Sequence, residues 1–292
     1  MTNYHLINDY KDNQKYRESF NELAKLVFGL DFSQWYEKGC WNDQYSCYSY
    51  VDGEKVIANA SISKMTVVVN GKHYKAIQIG TVMTHPDYRH KDLAKKIMNV
   101  IIDKYEKQYE FIYLFANETV LDFYPKFGFS HVQESRYFIN ADGLQGKSNI
   151  TIRKLDVENI NDVSLLKMYA KERIPLSSVL DVIENESLLM FYFLIAFPNS
   201  IYFIEDKDFI VLFEKEGEEL HLFDVVSRSE IDVIEVLSYI TTSDIKRIIF
   251  HFIPDCQNLE CEVMETEDDV LFIRPMIKFG TERPLFPLTS HS

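Results

Sequence analysis

The stretch Ile77–Ile102, IQIGTVMTHPDYRHKDLAKKIMNVII, places an apolar strand before Pro86 and an amphipathic helix from about Arg89. Such a junction can hold an anion. The first turn of a helix leaves backbone N–H groups unpaired, and the helix dipole concentrates positive potential there. Small side chains let a phosphate come close to the backbone. The other reactive side chains are sparser. Cys40, Cys47, Cys256 and Cys261 form no CxxC pair and have no histidine cluster beside them, so no zinc site is expected. Nothing near Cys40 or Cys47 suggests activation of a nucleophilic thiol.

The elements that must position these residues follow from periodicity. Apolar residues at helical spacing predict helices over 15–28 and 32–38, ended by Gly29 and Gly39. Asp52-Gly53 and Asn70-Gly71 mark hairpin turns between strands at 47–51, 55–62, 64–69 and 73–84. A helix over 89–109, a buried strand over 111–116, a short helix over 120–124 and strand material over 129–138 complete the first half. The turn-rich segment Asp142–Asn149 reads as a linker, giving domains over 1–145 and 146–292. Beyond it the grammar partly repeats. Helices are expected over 157–171, 187–197 and 231–240, and strands over 150–155, 200–205, 209–214, 220–226, 245–253 and 270–276.

Length and charge agree with two domains. At 292 residues and 46% hydrophobic, both halves can bury a core. Residues 1–146 carry 17 Lys+Arg against 18 Asp+Glu, which leaves 14 against 27 for the remainder. An acidic surface of that size argues against nucleic acid or an anionic membrane as partner, and could draw in a cationic amine. The start is polar and the longest apolar run, Leu188–Phe197, is too short to span a bilayer, so a cytoplasmic protein is expected.

Two segments together resemble the GNAT superfamily of acetyltransferases. MTHPDYRHKDLA, Met83–Ala94, is similar to the family's strand-to-helix phosphate loop, with Pro86, Tyr88, Arg89 and Ala94 in place. Thr84 stands where the family has Val, and Asp92 where it has Gly. FIYLFANETVLDFYPKFGFSHV, Phe111–Val132, resembles its second conserved region through Asn117, Tyr124, Phe127, Gly128 and Phe129.

The resemblance implies an α+β, mixed-sheet GNAT fold over the first half and a degenerate GNAT-like α+β domain after it. It implies acetyl-CoA as cosubstrate, no metal, and a primary amine as acceptor. Backbone groups of Val82, Met83 and Thr84 would hold the pantetheine arm, and Arg89, His90, Lys91, Asp92, Leu93 and Ala94 would form the pyrophosphate loop. Tyr124 would protonate the leaving thiolate, and Asn117 would bind the cofactor or order a water. Gln78 stands where many relatives carry a basic Glu, leaving a water relay, Asp31, Glu37 or His85 as substitutes for a base, or no strong base where the amine arrives deprotonated. The tail PLFPLTSHS offers no motif that would assign such a role to Ser292. The corresponding segment of the second half, Val225–Val236, has acidic residues where phosphates would sit, so no CoA is expected there. A catalytically weak, acyl-CoA-binding regulatory module is the alternative expectation.

Overall fold

The computed structural model describes residues 4–144, 146, 150–265 and 269–292, so the expected linker lies partly outside the described residues. The chain opens with β1 (His5–Asn8), which the sequence does not suggest, and α1 (Gln14–Phe28). Asn13 starts α1 by accepting from the Tyr16 N–H, and the helix buries Phe20, Leu23 and Ala24, its apolar stripe. After α2 (Ser33–Glu37), a meander forms from β2 (Tyr45–Asp52), β3 (Lys55–Val69) and β4 (Lys72–Thr84). Asn70 and Gly71 both have positive φ, 49° and 70°, the geometry that suits a tight hairpin between twisted strands. β3 is one strand where the sequence predicts two: Ser63 is buried in the ladder between Tyr45 and Gln78 and does not break it.

α3 (Leu93–Tyr105) starts later than Arg89 and stops short of Tyr109. Pro86–Tyr88 form a 3-10 turn, and His90 and Asp92 adopt φ of 61° and 56°, which keeps the chain out of the α-helix until Leu93. Next come β5 (Phe111–Ala116), β6 (Ser130–Val132), β7 (Ser135–Asn140), β8 (Ile152–Lys154), α4 (Ile160–Glu172) and β9 (Leu180–Ile183). α5 (Glu186–Phe191) runs on as a π-helical turn over Tyr192–Ala196 and ends before Pro198. The remainder is β10 (Ile201–Ile204), β11 (Phe209–Glu216), β12 (Glu219–Ser227), α6 (Val233–Ile240), β13 (Arg247–Phe250), β14 (Glu260–Val263) and β15 (Val270–Arg274).

The strands form two mixed sheets. The first runs β1-β2-β3-β4-β5-β15-β6, with β9 also paired to β3; the second runs β14-β7-β13-β12-β11-β10-β8. The sheets trade strands: β7 pairs with β13 and β14 in the second, while β15 inserts between β5 and β6 in the first. β15 suits that place because both its faces are apolar. Leu271 and Ile273 join the core between the two sheets, and Phe272 faces the core under α3.

Each sheet contains one parallel pair bridged by a helix. β4 and β5 pair in parallel across α3, and β12 and β13 do so across α6. The repeat that the sequence shows only as similar grammar is therefore a repeat of the same structural unit.

Candidate active site

The site begins where β4 and β5 part. Their parallel pairing runs from Ala76–Phe111 to Ile79–Leu114 and stops. From Gly80 to Thr84 the edge of β4 therefore has no strand partner on that side, and its backbone groups there are open to a ligand. A bulge marks the same place. The β3–β4 register shifts between Asn59 and Ser61, and Thr81 takes φ of 50°.

Buried polar groups hold the bulge. Asn59 Nδ2 donates to the Thr81 carbonyl at 3.0 Å and to Ser61 Oγ at 2.9 Å, and the Tyr45 hydroxyl reaches Ser61 Oγ at 2.8 Å and Thr81 Oγ1 at 3.1 Å. Ser49 Oγ donates to Asn59 Oδ1 at 2.8 Å and pairs with the Tyr10 hydroxyl at 2.6 Å. Burial pushes both phenols, Tyr10 and Tyr45, well above their ordinary range, so they remain hydrogen-bonding hydroxyls at every physiological pH.

A cavity of about 710 Å³ occupies the gap. Arg89 and Ala94 line one end beside the start of α3. Val82, Met83, Thr84, Asn117 and Tyr124 also line it. Phe32, Trp35, Leu188 and Phe191 line the far end, together with Ser292. Ser292 lies so close to Gly80 that a Cβ at that position would collide with its side chain and carbonyl. Gly80 thus lets the C-terminal segment reach the cavity wall.

Not every expected cofactor residue lines the space. The Leu93 side chain is buried in the core under α3. His90, Lys91 and Asp92 are exposed and lie outside the cavity lining. Lys91 Nζ instead sits 4.5 Å from the centre of the Tyr88 ring. Asp92 makes no side-chain capping bond, so the first N–H groups of α3 are not taken by its carboxylate. Its left-handed backbone shows why a glycine would suit the position.

Tyr124 is buried, with its ring against Phe272 of β15, 5.8 Å between centres, and Phe129, 6.3 Å. Burial pushes its phenol up to about 12, so the proton stays on at neutral pH. Asn117 is exposed, and its Oδ1 accepts from both the N–H and the hydroxyl of Thr119, at 3.1 and 2.6 Å. Its carbonyl oxygen caps the turn after β5, which makes Asn117 a shaper of the cavity rim.

The suggested bases lie elsewhere. Asp31 pairs with Lys25 at 2.7 Å, which holds its carboxyl below the usual range, and it does not line the cavity. Glu37 is exposed, and His85 Nε2 contacts Lys55 Nζ at 3.1 Å; neither lines the cavity. Gln78 is buried beneath the sheet and does not reach it either. Among the described residues, no carboxylate or imidazole side chain lines this space. The cysteines do not supply a nucleophile: burial pushes the thiols of Cys40 and Cys47 up to about 11 and about 12. Among the described residues no group of three or more His, Cys, Asp or Glu is placed to hold a metal, and no helix is long and apolar enough to cross a membrane.

The helix start of the second unit is differently furnished. Asp232 caps α6 by accepting from the Ile234 N–H at 2.9 Å, so a carboxylate already occupies that helix start. Asp142, Asp232, Asp255 and Glu260 line the space beside it, and among the described residues no Lys or Arg does. A pyrophosphate would meet like charge there.

Comparison with known proteins agrees with this geometry. Residues 11–132 match the family model of the acetyltransferase (GNAT) domain. Residues 11–132 thus carry a GNAT-type acetyltransferase domain, and the second sheet repeats its parallel pair bridged by a helix. A conserved protein from Enterococcus faecalis V583, described as a probable N-acyltransferase, superposes with a TM-score of 0.61 at 14% identity, over 94% of this chain and 73% of that one. Eis1 from Mycobacterium abscessus gives 0.56 at 14% identity over 94% and 73%, and a GCN5-related N-acetyltransferase from Kribbella flavida gives 0.56 at 16% over 92% and 71%. At these identities the likeness is one of fold. No curated protein matches the sequence.

Proposed function

We propose that this chain transfers an acetyl group from acetyl-CoA to a primary amine by direct attack. The single observation that carries the reading is the cavity between the splayed strands, which joins the uncapped start of α3 to the buried phenol of Tyr124. The residues present suit the cosubstrate. Arg89 supplies a cation and Ala94 permits close approach to the helix N-terminus, and among the described residues no carboxylate side chain lines the space. The open edge of β4 at Val82–Thr84 suits an amide-bearing arm.

Acetyl-CoA supplies the activated acyl carbon when bound. The chain's own part is to orient, polarise and move a proton. The strained bulge at Thr81 aims backbone groups of β4 into the cavity, where an N–H can stabilise charge developing on a carbonyl oxygen, worth roughly 3–4 kcal/mol in such sites. Holding both reactants in one cleft removes much of the entropic barrier. As the C–N bond forms and the C–S bond breaks, the Tyr124 phenol gives its proton to sulfur, and the proton lost by the amine restores it.

Tyr124→Phe tests the reading. With acetyl-CoA and a panel of amines, thiol release should fall about a hundredfold while CoA binding by calorimetry is unchanged. Tight CoA binding by the wild-type protein without turnover on any amine would leave a binding module and refute the enzyme.

A further inference from the structure

Ser292 meets Gly80 where β4 leaves its parallel partner, and the segment that brings it there is fastened in steps. The Leu288 N–H donates to the His251 carbonyl at 2.9 Å, and the Thr289 hydroxyl donates to Asp224 at 2.6 Å. Thr289 and Ser290 are fully buried. His291 is then gripped from three sides. Its Nδ1 donates to Asp269 Oδ2 at 2.6 Å, just ahead of β15. Its ring lies flat on Phe115 of β5, with centres 3.5 Å apart at 16°. Its main-chain carbonyl accepts from the Tyr192 hydroxyl at 2.8 Å. Ser292 Oγ, by contrast, has no hydrogen-bond partner among the described residues, so that side chain does not anchor itself.

We infer that His291 is a positioning residue: held by Asp269 and Phe115, it keeps Ser292 against Gly80 and so fixes the cavity wall beside the Thr81 bulge. The inference rests on the acetyltransferase reading and adds to it a residue that does not itself line the cavity. Gly80 has no side chain, so at that point of the wall the packing is supplied by Ser292. If Ser292 withdraws, β4 gains room to move next to Thr81, whose backbone must stay aimed at the reacting carbonyl. A ring that is both stacked and hydrogen-bonded is confined to one rotamer, and such locked side chains are what hold a site to its working geometry. A displacement of about 1 Å there is enough to cost on the order of a hundredfold in rate.

The test is a double-mutant cycle on the full chain, following thiol release with acetyl-CoA and 2-phenylethylamine, spermidine or kanamycin, whichever reacts fastest. Gly80→Ala places a Cβ where Ser292 lies and displaces it from one side; His291→Ala releases it from the other. Each should lower kcat by roughly tenfold to a hundredfold and change KM for acetyl-CoA less than twofold. The double variant should be no worse than the poorer single one, because both act by moving Ser292. Asp269→Asn keeps an acceptor for Nδ1–H and should retain most of kcat, while Asp269→Ala should not; the Asp269 side chain is half-exposed, so neither variant empties the core. Thermal melts supply a readout independent of turnover: Gly80→Ala should lower the melting temperature less in the His291→Ala background than in the wild-type chain. A kcat for His291→Ala within twofold of wild type, measured below its melting temperature, would overturn the inference and leave the acetyltransferase reading standing. Multiplicative losses in the double variant would overturn it as well. Thiol release by the wild-type protein with none of the amines would remove the acetyltransferase reading, and this role with it.

Discussion

Asn59 donates to the carbonyl of Thr81 across 3.0 Å, and this one bond ties the interior of the first sheet to the point where β4 departs from regular pairing. A threonine at φ of 50° is strained, and it persists only where its surroundings over-determine it. Asn59 is fully buried and accepts from Ser49, so its amide orientation is fixed from behind.

Asn59→Ala should therefore affect chemistry more than binding. With the Thr81 carbonyl unpartnered, β4 relaxes and its N–H groups lose their aim. The expected result is a kcat lower by on the order of tenfold to a hundredfold, with a smaller change in KM for acetyl-CoA. A cost of roughly 1–3 kcal/mol in stability accompanies it, because Ser49 and Thr81 lose a buried partner. Steady-state kinetics at saturating amine, beside denaturant melts, separate the two effects.

Asp92 presents the reverse case, a residue whose side chain does nothing visible and whose backbone is costly. Its carboxylate is exposed and caps nothing, while its φ of 56° is one that glycine takes freely. Asp92→Gly should gain up to roughly 1 kcal/mol of stability in thermal melts. CoA affinity should change less than twofold. A tenfold tightening would show that the carboxylate opposes the pyrophosphate after all.

Much of the fold is legible in the sequence because local chemistry dictates it. Asn70-Gly71 makes its hairpin, and the stripe Phe20, Leu23, Ala24 becomes the buried face of α1. The cavity-lining Arg89, Ala94, Asn117 and Tyr124 follow from two motifs at fixed separation. What stays hidden is non-local. Val270–Arg274 reads as a strand, but nothing in its alternation says that it pairs with Phe111–Ala116, far away in the chain. The apolar wall of the cavity is hidden for a related reason. Phe32, Trp35, Leu188 and Phe191 look like ordinary helix-core residues, and only the tertiary fold leaves one side of them facing a cavity. Positive φ at Thr81, His90 and Asp92 is invisible because none of the three is glycine.

A buried ion network ties β9 of the first sheet to β12 of the second, which makes a strong stability prediction. Arg173 donates to Asp224 through Nη1 and Nη2 at 3.0 and 3.3 Å and lies 3.6 Å from Asp181 of β9. Thr289, in the segment leading to the cavity, donates to Asp224 at 2.6 Å. All three charged side chains are almost fully buried. Arg173→Ala leaves two carboxylates uncompensated and should cost about 3–5 kcal/mol. Urea denaturation at pH 7 measures it, and a loss below 1 kcal/mol would show that water reaches the network.

The last prediction concerns pH and a further buried carboxylate, Glu134. Glu134 follows β6, accepts from the Phe286 N–H at 2.8 Å, and is buried beside the His291–Asp269 pair, itself joined at 2.6 Å. Burial pushes its carboxyl up to about 7; the charge on His291 and the Phe286 bond pull it down and Asp269 pushes it up, without reversing the effect of burial. The sign of the stability effect follows. Between the ordinary carboxylate value near 4.5 and about 7, the folded chain binds a proton that the unfolded chain has released. This group therefore lowers stability as pH rises through that window. His291 works in the same direction. Burial disfavours its charge, but Asp269, Glu134 and a backbone bond to Phe286 together outweigh burial and raise its pKa, so its contribution is present at low pH and is lost as pH climbs through the raised value. Asp269 itself, lowered by His291 against its burial, contributes above the ordinary carboxylate value and loses that only in acid. Glu134→Gln keeps the oxygen that receives Phe286 and removes the charge. Its melting temperature should exceed that of the wild-type protein at pH 8 and converge with it toward pH 5. Equal melting temperatures at pH 8 would show that Glu134 ionises in the folded chain without penalty.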